Sequence, residues 1–135
     1  MARIDGVYGS DGFEVLRVST LAVTGTAAAN GALTLTLPAA GVGLFHYITM
    51  IEITRAATAV LLGTATLVVT STNLPGSMAW SFGNAMAAGG TQVDVRLALF
   101  SPLKSSAANV ATTIVMPAPG AAVLWRASAF YFTAV

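Results

Sequence analysis

Ala32-Leu33-Thr34-Leu35-Thr36-Leu37-Pro38 alternates leucine with threonine at every step. Successive side chains of a strand point to opposite faces, so Leu33, Leu35 and Leu37 share one face while Thr34 and Thr36 take the other. Pro38 lacks the N–H that a ladder needs and ends the run. The stretch reads as a half-buried β-strand, and the rest of the chain follows the same rule. Short runs rich in Thr and Val recur with period two, and charged pairs four residues apart, which would support helices, hardly occur.

Strands are predicted at 14–24, 32–38, 44–55, 65–72, 77–82, 91–100, 111–116 and 122–133. Turn clusters separate them. Thr24-Gly-Thr-Ala-Ala-Ala-Asn-Gly31 ends in a turn dipeptide, Asn73-Leu-Pro-Gly76 sets Pro75 and Gly76 at the central positions of a type II turn, and Met116-Pro-Ala-Pro-Gly120 is another stop. The pattern predicts an all-β fold, a jelly-roll-like antiparallel sandwich of about eight strands. An immunoglobulin-like sandwich is the nearest competitor, but its inter-sheet disulfide is impossible in a chain without cysteine. The domain is predicted to span 14–135. Residues 1–13 carry Arg3, Asp5, Tyr8, Asp11 and three glycines without periodicity, and read as an extended N-terminal arm that is either disordered or reaches across a neighbouring molecule.

Two strands are apolar on both faces. In the last, Val123, Trp125, Ala127, Ala129 and Tyr131 lie on one side, with Leu124, Phe130 and Phe132 on the other beside Arg126 and Ser128. In the third, alternation sets Phe45, Tyr47, Ile51 and Ile53 against Leu44, Ile48 and Met50. A sandwich buries one face of each sheet, so an apolar second face predicts a cover, and in so small a chain the natural cover is another subunit.

Composition agrees. Hydrophobic residues make up 56% of the 135 residues and charged ones 8%, against roughly 25% charged in ordinary soluble domains. A monomer of this mass exposes about 6,600 Å², far more than six basic and five acidic side chains can cover. The net charge is +1 and the basic residues are scattered singly, so no stripe exists for a phosphate backbone, and direct nucleic-acid binding is not expected. The N-terminal residues show no apolar core of a secretory signal, which predicts a product retained in the cell that makes it. The most membrane-like run, 56–70, is shorter than the roughly 20 residues a spanning helix needs and reads as buried strand; no membrane partner is expected.

Residues that could carry chemistry are sparse. His46 is the only histidine and sits mid-strand among apolar neighbours, the setting of a hydrogen-bonded core or interface residue. Ser101-Pro-Leu-Lys104 matches Ser-x-x-Lys, but Pro102 follows a strand and no helix continues, so it reads as a loop. Asp11 and Glu14 are the only close acidic pair and lie beside the glycine-rich arm; Gly41-Val-Gly43 opens no helix and is no dinucleotide fingerprint. No catalytic, cofactor or metal residues are assigned, and an enzyme is not expected. Glu52 and Arg55 interrupt an apolar strand and are predicted to pair across strands or across subunits. Asp94 and Arg96, two apart, are predicted to share a face. Trp80 and Phe82 lie on one face of a short strand and read as core or as an exposed platform. The candidate partner-contact residues are therefore Arg3, Asp5, Tyr8, Glu52, Arg55, Trp80, Phe82 and Arg126.

Asn73-Leu-Pro-Gly76 with Trp80 downstream, Pro102-Leu-Lys-Ser-Ser106, Ala111-Thr-Thr-Ile-Val-Met-Pro117 and the ending Trp125-Arg-Ala-Ser-Ala-Phe-Tyr-Phe132 together resemble small virion proteins of tailed bacteriophages, of the capsid cement or decoration type. The resemblance covers roughly residues 30–135 and is one of strand order and composition. It implies a jelly-roll-like subunit, without catalytic residues, that forms homo-oligomers, dimers or trimers, on the outside of an icosahedral shell and stabilises contacts of the major capsid protein. It thus implies location in the virion, at the capsid surface, after synthesis in the host cytoplasm. The same composition would serve a tail, fibre-base or head-completion subunit. A carbohydrate-binding jelly roll is a further alternative, with Trp80, Phe82 or Tyr131 as stacking platforms.

Overall fold

The structure, a computed structural model, describes residues 20–63 and 65–135 together with the backbone of four residues nearer the N-terminus. Those four form two short antiparallel strands, β1 (Val7–Tyr8) and β2 (Glu14–Val15). Eight strands follow: β3 (Leu21–Thr26), β4 (Leu33–Leu37), β5 (Phe45–Ala57), β6 (Thr66–Ser71), β7 (Ala79–Gly83), β8 (Thr91–Lys104), β9 (Thr112–Met116) and β10 (Val123–Ala134). They make two antiparallel sheets of four, β3-β10-β5-β8 and β4-β9-β6-β7, packed as a sandwich. The predicted first strand, 14–24, divides. Glu14–Val15 pairs with Val7–Tyr8, the sandwich strand runs only from Leu21 to Thr26, and 16–19 lie outside the described residues, as does most of the predicted arm.

Pairing is nested. β3 lies beside β10, β4 beside β9, β5 beside β8 and β6 beside β7, so the chain is one long hairpin whose turn joins β6 to β7. Lateral pairs β10–β5 and β6–β9 then knit the two arms of that hairpin into sheets. The turn itself follows the sequence: Gly76 takes φ 66°, ψ 17°, and Ser77 N–H donates to Leu74 O at 3.2 Å. Glycine adopts that left-handed backbone at no steric cost, which suits Pro75-Gly76 to the turn.

Between the sheets lie Leu35 and Leu37 from β4, Ile48, Ile51 and Ile53 from β5, Val69 from β6, Ile114 and Met116 from β9, and Trp125 from β10, all at most 1% exposed. The alternation Leu33 to Leu37 is realised as read, with Leu35 and Leu37 buried and Thr34 and Thr36 exposed. Trp125 places its only polar atom well: Nε1–H donates to Pro117 O at 2.6 Å. A buried indole without that acceptor would forfeit a hydrogen bond worth about 1 kcal/mol net.

Three irregularities change which residues face outward. On β5, Met50 pairs with Phe130 but Ile48 pairs with Tyr131, so Thr49 is an extra residue. The alternation changes phase there. His46 and Ile48 point inward with Ile51 and Ile53, while Phe45 and Tyr47 move to the outer face with Glu52, correcting the grouping of Phe45 and Tyr47 with Ile51 and Ile53. On β8, Val95 pairs with Ile53 and Val93 with Thr54, leaving Asp94 as the extra residue. Asp94 turns into the protein and Arg96 out of it, so the two do not share a face. A larger bulge follows: Ala98 pairs with Met50 and Leu103 with Ile48, so 99–102 stand opposite Thr49 alone. Ser101-Pro-Leu-Lys104 is therefore strand rather than loop, and Pro102 is tolerated because pairing is already interrupted on an edge strand.

Candidate interaction surface

Six charged residues lie between 20 and 135. Arg55 and Asp94 are inside, with both side chains 0% exposed. Asp94 accepts Arg55 Nε at 2.6 Å and Nη2 at 2.8 Å in a bidentate pair; Nη2 also donates to Gly83 O at 2.9 Å, and the guanidinium lies 5.4 Å from the Phe82 ring centroid and 5.5 Å from that of Trp125. Gly83 and Phe82 belong to the opposite sheet, whereas Asp94 and Trp125 share that of β5, so Arg55 ties the two layers together through the Gly83 carbonyl and the Phe82 face. Every buried polar side-chain atom among the described residues has a partner, the condition under which a buried ion pair is tolerated. Arg55 was expected at a partner contact; it is instead an interior residue, since the inward phase of β5 and the bulge at Asp94 bring the two charges together within one chain.

For Trp80 and Phe82 the core alternative holds. Both lie on the inner face of β7, half-buried against the core, with Phe82 edge-on to Trp125 at 6.1 Å between centroids. Tyr131 is 6% exposed. Tyr131 is too buried to serve as a sugar-stacking platform. His46 is fully buried. Its Nε2 lies 2.8 Å from Pro38 O, which can only accept, so Nε2 carries the proton; in the neutral ring Nδ1 then accepts from the Thr112 hydroxyl at 2.8 Å, whose oxygen accepts from Asn73 Nδ2 at 3.1 Å. Asn73 also bonds the main chain at Ala107 and Val110, and so pins the loop between β8 and β9. Among the described residues no three of His, Cys, Asp or Glu come together as a metal site would require.

The remaining four charges sit at one place, the outer face of the β3-β10-β5-β8 sheet. Glu52 on β5 accepts Arg96 Nε at 2.7 Å through Oε2, with side chains 32% and 62% exposed. Such a pair is screened by water, and Glu52→Gln is expected to change stability in urea denaturation by less than about 1 kcal/mol. Arg126, on β10 beside Thr54, is exposed and forms no ion pair with a described residue. Lys104 Nζ lies 3.9 Å from the Phe45 ring centroid and 5.6 Å from that of Tyr47. Next to these charges the face is aromatic. Tyr47 stacks on Phe132 at 5.1 Å with the planes 3° apart, and Phe45, Met50 and Phe130 stand beside them, half-buried or exposed. The apolar second face predicted for β5 and β10 is thus present, and nothing among the described residues covers it fully. Phe100 projects from the large bulge of β8 with no shielding at all, next to a shallow hollow lined by Thr49, Ala98 and Leu99.

Sequence reading found Glu52 and Arg126 on this surface but missed Phe100 and Lys104, because a four-residue bulge leaves no periodic mark. Arg3 and Asp5 lie outside the described residues; Tyr8 is placed in β1 by its backbone alone. The other sheet turns outward Thr34, Thr36, Thr70, Thr113 and Val68, with no charged residue on that face. Comparison with protein-family models, with curated proteins and with solved structures finds no match to the chain.

Proposed function

We propose that this chain is a structural subunit of a tailed-bacteriophage virion, a capsid cement or decoration protein that stabilises the head shell by oligomeric contacts with the major capsid protein. The observation that carries the reading is the distribution of charge. Two of the six charges of 20–135 neutralise each other inside, the rest gather on one sheet face, and the outer face of the other sheet is threonine-rich and uncharged. A face of that kind loses little on leaving water, and a lattice multiplies a weak contact by the number of symmetry-related copies. Nested pairing of β3 with β10, β4 with β9, β5 with β8 and β6 with β7 across two sheets supports reading the sandwich as a jelly roll, the form implied by the resemblance.

Electron microscopy of particles labelled with antibody against this chain tests the proposal. Label repeating over the shell lattice is the expected result. Label confined to the tail would move the chain to a tail, fibre-base or head-completion role, and particles without label would remove the virion assignment.

A further inference from the structure

We infer that the outer face of the β3-β10-β5-β8 sheet is the docking surface for a second copy of this chain, face to face about a two-fold axis. The inference rests on the reading of the chain as an assembling subunit and names the partner and the surface. Three observations select a second copy as the occupant.

Area comes first. The four strands hold 6, 12, 13 and 14 residues. At about 3.3 Å per residue and about 4.8 Å between strands they present a face of about 700 Å², close to the ~800 Å² per partner of a standard stable interface.

Charge complementarity comes second. Glu52 and Arg126 occupy neighbouring strands of this face, Glu52 opposite Ser128 and Arg126 opposite Thr54, so they are diagonal neighbours. Arg96 engages one carboxylate oxygen of Glu52, leaving the other able to accept, and Arg126 has no ionic partner among the described residues. A two-fold axis lying in the interface and running across β5 and β10 between these two positions sets Glu52 of each copy over Thr54 of the other, one strand spacing, about 4.8 Å, from that copy's Arg126. Glu52 of each copy then meets Arg126 of the other, twice over, which an unrelated partner would match only by supplying both charges at the same spacing.

The apolar pattern is the third. An axis in that position runs across the strands and reverses their direction between copies. The aromatic half of one face, with Met50 and Phe130, then lies over the aliphatic half of the other, with Ala56 and Leu124 on the paired strands. Both halves are apolar, and Lys104, the remaining charge of this face, lies at its aromatic end against Phe45 and Tyr47.

Sedimentation equilibrium of the full chain, up to about 100 μM, tests this without any shell. A mass of two chains is expected. Phe130→Asp, on the exposed side of β10, should weaken association about 100-fold, with an unchanged far-UV spectrum and a cooperative melt showing that the variant folds. Arg126→Glu and Glu52→Lys should each weaken it about tenfold, and the double variant, which restores opposite charges across the axis, should recover most of the loss. Val68→Asp, on the other sheet, should leave the mass unchanged. A monomer throughout the range, a three-chain mass, association insensitive to Phe130→Asp, or a double variant no better than its parents would each overturn the inference. Because shell labelling is read separately, a monomer that still decorates shells would sink this inference alone, whereas a dimer absent from particles would sink the virion reading alone.

Discussion

Asp94→Ala should lower the unfolding free energy by about 3–5 kcal/mol, because it leaves the Arg55 guanidinium buried without its counter-charge. Both side chains are 0% exposed, so water cannot compensate in the folded state. Domains of this kind are stable by only about 5–15 kcal/mol, and such a loss is visible as a large drop in the urea midpoint at an unchanged slope. The companion variant separates desolvation from packing. Replacing both partners, Arg55→Met with Asp94→Leu, removes the charge and its desolvation cost together, and is expected to be far more stable than Asp94→Ala alone. If the single variant lost less than about 1 kcal/mol, the pair would be behaving as an exposed one, and its burial would not be a source of stability.

Trp125→Ala is expected to cost a similar amount, about 3–5 kcal/mol, through the cavity left by the largest fully buried side chain. It also strips an aromatic face from Arg55 and the donor from Pro117 O. Trp125→Phe keeps most of the volume but not the N–H, so it should fall between wild type and alanine. Because Trp125 and Arg55 touch, the losses of Trp125→Ala and Asp94→Ala should not add in the double variant; the difference, read from three denaturation curves, measures their coupling. Simple additivity would mean that the ring and the ion pair stabilise the core independently.

Most of the strand pattern was legible because period-two alternation is a local property. Leu33 to Leu37 declares its inner face without help from the rest of the chain. Turns were legible where the backbone demands a special residue, as at Gly76. The bulges were not. An inserted residue such as Thr49 or Asp94 carries no distinguishing chemistry, yet it changes the phase of the strand beyond it, which is why Tyr47 and the Asp94 and Arg96 pair were assigned to the wrong faces. Arg55 was recognised as a charge too costly to leave unpaired, but its partner lies on another strand, 39 residues away, and only the register of β5 with β8 reveals it. The candidate surface was legible as a surplus of apolar residues on β5 and β10. Its boundaries depended on the same unmarked bulges.

The nested order of the strands also governs when this protein can form. β10, which follows the other seven sandwich strands in chain order, is an interior strand of its sheet and stands between β3 and β5. Until its final residues emerge, β3 and β5 share no neighbour, and the ladder groups that β10 will satisfy stay open to whatever else is nearby. Closure of this sheet therefore waits for β10, and a nascent chain of this kind is most vulnerable to mispairing with a second nascent chain in the interval before that strand has emerged.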